Sequence, residues 1–483
     1  MSLRKKAIQG VIWTSLQNWG GQALFFLTFL VLARSLDPAT FGLISMANIF
    51  IHFVQALLVQ GFADAIVQRK ELEPEHLDTA FWVNLGIGIL LFLIGFASAN
   101  LIANAFQQTE LTSIIRWLSA SVILNAFAST QQALLRRNLE FKSLAVRRLI
   151  GQSVGSAIAI SMAFSGFGVW SLVSQQLLNN LVGTVLLWRM SDWRPGLKVS
   201  WRHFKDLFSF GINVMGMSVL VFFSLRSDDF LIGYYLGPEA LGYYTIAYRL
   251  LVTLTQLIVD TVRQVVLPTF SRLQDDKEKM CQTFYKTTEM IGFVAFPAFL
   301  GMAVLSPELV VGLFGEQWQP SIPIMQVLAI VGLLRSVFNL SGVVIISLGK
   351  PSWNLGLMVL DTGGKIVAFF IAVRWGVVAV AASLLISTYL FAPLRLWVLR
   401  YLVNLNIRAY FTRYGTPLLG SGIMVGCIWL FRYFLNSYLD IKVLLSLCIA
   451  VGVLTYACTI FLLAPKFFKE LLDLARSAIP SKS

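Results

Sequence analysis

Leu36-Asp37-Pro38-Ala39-Thr40-Phe41-Gly42 closes one apolar stretch and opens the next. The pattern returns 200 residues later as Leu236-Gly237-Pro238-Glu239-Ala240-Leu241-Gly242. Leucine, proline and glycine hold matching places in both copies, and Ala47 and Ala247 keep the register beyond them. Both copies lie in a chain made almost wholly of apolar segments of membrane-crossing length, about 20 residues each. A duplicated set of membrane helices points to a transporter built from two repeats, with its site where they meet.

Composition agrees. Of 483 residues, 57% are apolar and only 13% charged, whereas a soluble chain devotes about 25% of its residues to charge. The net charge of +14 is no argument for nucleic acid, because the basic residues gather in short loops between apolar spans, as the positive-inside rule requires. Arg4, Lys5 and Lys6 precede a span too long for a signal-peptide core, which reads as a retained first helix. Cys281, Cys427, Cys448 and Cys458 have no metal-ligand spacing, and no disulfide, metal site or cofactor is expected.

The reading is an all-α polytopic membrane protein with about fourteen transmembrane helices. The expected spans are 8–33, 41–63, 79–104, 113–135, 149–167, 169–189, 207–227, 240–267, 287–314, 322–347, 354–375, 377–399, 415–435 and 441–464. Residues 1–195 form an N-terminal six-helix lobe and 207–400 a second, joined by a cytoplasmic linker at 196–206. Six spans separate the matching turns, so the repeats run parallel. Phe167-Gly168-Val169-Trp170 and Trp375-Gly376-Val377-Val378 give a second match before the last span of each lobe. Helices 13 and 14, within 415–464, stand outside the repeat, and 465–483 is an amphipathic cytoplasmic tail. Most of the 38 lysines and arginines then fall on one side, which puts both termini in the cytoplasm.

Ionisable groups are costly in a bilayer and face a cavity or a partner. Arg249 and Arg335 lie deep in spans 8 and 10 with no acidic residue three or four positions away. Together with Lys365 they mark a cationic, water-filled cavity, suited to a phosphate or diphosphate that arginine grips by two parallel bonds. Asp361 and Lys365 are spaced as an i,i+4 pair, and Asp260 and Arg263 as an i,i+3 pair. Structural pairing is the favoured role for both carboxylates, with ion coupling the other. Gln17, Asn18, Asn48, His52 and Gln55 are polar residues in spans 1 and 2. They suit a sugar-binding cavity wall or, equally, hydrogen bonds between helices. Arg116 and Arg432 are placed to reach the outer interface. Gly151-xxx-Gly155 and Gly422-xxx-Gly426 are close-packing patterns. No phosphate-binding loop and no nucleophile–base pair is found, so the chain is not expected to be an enzyme.

The order of several stretches resembles polysaccharide exporters of the multidrug/oligosaccharidyl-lipid/polysaccharide flippase superfamily, near the colanic-acid exporter type. They are Gly10-Val11-Ile12-Trp13, Val31-Leu32-Ala33-Arg34-Ser35-Leu36-Asp37-Pro38 and Gly61-Phe62-Ala63-Asp64-Ala65-Ile66-Val67-Gln68-Arg69, then Asp228-Asp229-Phe230-Leu231-Ile232-Gly233, Ala247-Tyr248-Arg249-Leu250 and Gly315-Glu316-Gln317-Trp318. The resemblance covers residues 1 to about 400. It implies two six-helix bundles forming a V that opens alternately to each side of a bacterial inner membrane. It implies transfer of undecaprenyl-diphosphate-linked oligosaccharide from the cytoplasmic to the periplasmic leaflet, for surface polysaccharide synthesis. Membrane lipids, a polysaccharide polymerase and other assembly proteins are the partners it implies, and Arg249 serves the headgroup site. Two alternatives stay open. One is a drug/cation antiporter of the same superfamily, disfavoured by positive lining and by a first span without carboxylates. The other is a membrane scaffold for polysaccharide assembly that transports nothing.

Overall fold

The computed structural model describes residues 3–58, 60–69, 71–338, 340–435 and 438–465, with backbone alone at 3–9, 11, 60–61, 207, 209–210, 213, 259–261 and 263–265. The expected tail at 465–483 lies outside them, except for its first residue. The described chain is helical throughout, with no strand. Ten of its helical stretches are long and apolar enough to cross a membrane, and the protein is a multi-pass membrane protein. The contacts divide it into two units, Met1–Gly242 and Tyr243–Ser483.

The first unit holds α1 (Leu3–Ser35), α2 (Pro38–Leu57), α3 (Gln60–Gln68), α4 (Pro74–Ala105), α5 (Glu110–Arg137), α6 (Phe141–Phe164), α7 (Val169–Met190) and α8 (Trp201–Thr255) as far as Gly242. Asp37 starts α2 by accepting the Thr40 amide at 2.7 Å, with Pro38 in the first turn, where its missing N–H costs nothing. The expected span 41–63 is two helices, because Leu58 is extended (φ −64°, ψ 127°) and ends α2. The expected loop at 228–239 is also different: α8 runs on and breaks only at Gly237, whose φ of 85° no side chain tolerates well. The turn at Gly166 and Gly168 does separate α6 from α7.

Small residues bring these helices together. A Cβ on Gly151 would stand 2.9 Å from the Asn179 carbonyl and one on Gly155 2.7 Å from that of Gln175, so α6 and α7 pack backbone to backbone. Gly422 and Gly426 meet nothing within 4 Å, so the second close-packing pattern makes no such contact among the described residues. The segment after α7 lies on α4: Trp82 Nε1 donates to the Gly196 carbonyl at 2.7 Å, and the Gly196 and Ser200 amides donate to Asp78 and Thr79. Phe81, Trp188 and Trp193 close edge to face beneath it.

The second unit holds the end of α8, a π-turn at Gln256–Asp260, α9 (Thr261–Arg272), α10 (Lys277–Val304), a short α11 (Ser306–Leu309), α12 (Ser321–Phe338), α13 (Leu340–Ser347), α14 (Pro351–Ala372), α15 (Val377–Val403), α16 (Ile407–Thr412), α17 (Gly415–Leu435) and α18 (Ile441–Leu463). Here α12 packs between α10 and α15, α14 against α15, and α17 against α18. Leu305, Met424, Ile428, Leu444 and Cys448 fill the α17–α18 seam. Arg432 does not simply reach for the membrane surface: its Nε donates to the buried Glu308 at 2.8 Å.

Candidate functional site

The second unit encloses a cavity of about 240 Å³. Arg335 enters it from α12, Asp361 and Lys365 from α14, and Thr388, Phe391 and Arg395 from α15. The local sequence explains each placement. Asp361 and Lys365 are one helical turn apart and share a face. Thr388, Phe391 and Arg395 follow the i, i+3, i+7 spacing of one face of α15. Gly364 has no side chain to hold the Phe391 ring away, which lets α14 and α15 close on each other.

One oxygen organises the site. Asp361 Oδ2 accepts from Lys365 Nζ at 2.8 Å and from Arg395 Nη2 at 3.0 Å. Asp361 and Lys365 are buried, and Arg335 and Arg395 are half-buried. Three cations surround one carboxylate, so the lining carries a net charge of +2. In a low-dielectric surrounding a lone buried charge is very costly, and Asp361 holds two of the cations in place by shared charge-assisted bonds. The pairing expected for Asp361 and Lys365 is present, and the structure adds Arg395. Of the three cations expected to line the cavity, Arg335 and Lys365 do so. Arg249 lies half-buried in the same unit but not on this wall. The side chains of Asp260 and Arg263 lie outside the described residues.

The first unit has a second cavity, of about 290 Å³. Gln55 reaches it from α2, Asp64 from α3, Gln132 and Arg136 from α5, Arg147 from α6 and Asn180 from α7. Arg147 donates to Gln132 Oε1 at 3.0 Å, and its Nε is buried without a partner. Only Gln55 of the expected polar residues lines this space. Asn48 and His52 are half-buried higher in α2, Gln17 is half-buried and Asn18 exposed on α1, and none of them borders either cavity. One cluster among the described residues offers metal-type donors, Glu73, His76 and His203, and none of these lines either of these two cavities.

A cationic pocket walled by membrane helices is chemistry for an anion, and the likenesses to known proteins are consistent with that. The model of a family described as "Polysaccharide biosynthesis protein" matches residues 31–323. The chain is 28% identical to the teichuronic acid biosynthesis protein TuaB of Bacillus subtilis, over 96% of this chain and 97% of that one. It is 29% identical to the lipopolysaccharide biosynthesis protein WzxC of Escherichia coli, over 75% of this chain and 74% of that one. Among solved structures it superposes on the lipid II flippase MurJ with a TM-score of 0.74, over 96% of this chain and all (100%) of that one. At 14% identity the last is a likeness of fold.

Proposed function

From the premise that this chain belongs to the polysaccharide biosynthesis protein family, we propose that it is a flippase for lipid-linked oligosaccharide. It takes a polyprenyl-diphosphate-linked repeat unit from the cytoplasmic leaflet and releases it in the periplasmic leaflet of a bacterial inner membrane. The observation that carries the reading is the +2 cavity built by Arg335, Lys365 and Arg395 around Asp361. Relatives named for teichuronic acid and lipopolysaccharide biosynthesis, and a fold shared with a lipid II flippase, support the substrate class.

The geometry supplies a mechanism for the headgroup. Asp361 keeps Lys365 and Arg395 aligned while no anion is present. A diphosphate entering the cavity accepts from Lys365, Arg395 and Arg335 together, gaining bidentate arginine bonds that water offers less rigidly. Asp361 also limits affinity: the site must release its cargo, and a standing carboxylate keeps the bound state from becoming a trap. In the same reading, fourteen helices form two parallel six-helix bundles plus a terminal pair. Both termini face the cytoplasm, and the bundles expose the site alternately to each side. Arg249 serves the headgroup and the polar wall at Gln55 the sugars. Polymerase and other assembly proteins receive the product.

Binding tests the anion site directly. A polyprenyl-diphosphate lipid titrated into the purified protein in nanodiscs should bind at least tenfold more weakly to Arg335→Ala, since one charge-assisted hydrogen bond is worth about 1.5–3 kcal/mol. The monophosphate analogue should lose less on the same substitution. Equal affinity of wild type and variant for the diphosphate lipid contradicts the reading.

A further inference from the structure

We propose that Glu73, His76 and His203 form a binding site for one divalent transition-metal ion, zinc by its donor chemistry, which clasps the start of α8 to the start of α4. The chain has only three histidines, and two of them stand with ring centroids 4.2 Å apart. They come from distant parts of the first unit's sequence. Glu73 and His203 are 130 residues apart, yet Glu73 Oε2 lies 3.0 Å from His203 Nε2. One donor atom from each of the three residues lies within 4.8 Å of the others.

The second observation is what the rings lack. His76 is 2% exposed and His203 8%, and each keeps one buried ring nitrogen without a hydrogen-bond partner, Nε2 of His76 and Nδ1 of His203. An unsatisfied buried polar atom costs about 1–3 kcal/mol. The orphaned Nε2 of His76, in a buried ring beside a second imidazole and a carboxylate, is what a nitrogen-and-oxygen metal site presents before the ion arrives. Asp206 is placed as a fourth donor, with Oδ2 3.9 Å from His76 Nε2 and anchored by Arg69 at 2.9 Å. Glu73 and Asp206 place two carboxylates beside the imidazoles.

Tetrahedral zinc with Zn–N lengths of about 2.0–2.1 Å needs donors roughly 3.3 Å apart, so donors lying within 4.8 Å of one another close by at most about 1.5 Å. Coordination through His76 Nε2 places the ring proton on Nδ1 and gives up the 3.2 Å bond that Nδ1 accepts from the Glu73 amide. Coordination through His203 Nε2, already 3.0 Å from Glu73 Oε2, puts the ring proton on Nδ1. Two imidazoles with carboxylates suit zinc, and exclude the all-oxygen preference of calcium and magnesium.

The test uses the full chain in detergent, stripped with a chelator and titrated with Zn²⁺ alone by calorimetry and with Co²⁺ by visible absorption. One ion per chain should bind, with the d–d bands of a tetrahedral nitrogen-and-oxygen site. His203→Gln and Glu73→Gln should each weaken binding at least tenfold while leaving the circular dichroism spectrum unchanged. Glu73 is an exposed side chain, so its variant separates loss of a ligand from loss of the fold. No binding by the wild type, binding that survives either substitution within a factor of two, or a thiolate-to-cobalt charge-transfer band each overturns the site.

Discussion

Gly42 rests on the carbonyl of Pro238, and Gly242 rests on the carbonyl of Pro38. The two copies of the Leu-x-Pro-x-x-x-Gly turn, 200 residues apart in sequence, therefore seat each other reciprocally. Pro38 and Pro238 each open a helical stretch, and the glycine one turn later presents a face with no side chain. A Cβ at either glycine would overlap the opposing carbonyl group.

Gly42→Ala and Gly242→Ala should each destabilise the protein by about 1–3 kcal/mol, the usual cost of overpacking. Gly86→Ala is the control, because nothing lies within 4 Å of the Cβ it would add. Thermal unfolding in detergent should show the first two melting lower and the control melting no lower than the wild type.

Removing Asp361 alone should be worse than removing it with Lys365. Asp361→Asn leaves the buried Lys365 and the half-buried Arg395 without their carboxylate, and breaking a buried pair from one side costs about 3–5 kcal/mol. The double variant Asp361→Asn/Lys365→Met should recover a large part of that loss, since the pair's own desolvation disappears with it. A double-mutant cycle of melting temperatures measures the coupling.

The segment after α7 should become more open to proteases when its anchors go. Trp82→Phe removes the 2.7 Å bond to the Gly196 carbonyl, and Asp78→Ala removes the acceptor for the Gly196 amide. Limited proteolysis should cut between 190 and 205 faster in both variants than in the wild type.

Asp276 predicts an acid-sensitive helix start. The Lys279 amide donates to its carboxylate at 3.0 Å and, with the Lys279 ammonium beside it, holds the carboxyl below its ordinary value. A depressed folded-state value stabilises the protein above the unfolded-state value and loses that contribution as pH falls through the folded one. The melting difference between wild type and Asp276→Ala should be full at pH values above about 5 and shrink below about 4.

Much of this architecture is legible in the chain because bilayer thickness and backbone satisfaction leave few options for apolar stretches of this length. The proline–glycine turn and the i,i+4 spacing of Asp361 and Lys365 are local patterns, and the structure contains both. What joins distant residues is not local. Arg395 is 34 residues from Asp361, and its place near the end of an apolar run reads as one more basic residue at the cytoplasmic face. Its spacing from Thr388 and Phe391 is the signal that puts it on an inward face. The polar stripe of α2 narrows to Gln55 because the cavity opens where α2 ends at Leu57, about two and a half turns beyond Asn48 and one and a half beyond His52. Glu73 and His76 stand three residues apart, but nothing local joins them to His203, which the segment docked on α4 brings back across 130 residues.

The most direct test of the central claim is leaflet transfer of polyprenyl-diphosphate-linked oligosaccharides in proteoliposomes, run over a panel of glycans for the wild type, Arg395→Ala and Arg395→Lys. The account predicts transfer of at least one glycan by the wild type, at least a tenfold loss in Arg395→Ala with the protein still folded, and partial retention in Arg395→Lys, which keeps the charge but not the planar fork. Arg395→Ala transferring as fast as the wild type would contradict an anion site built around Asp361.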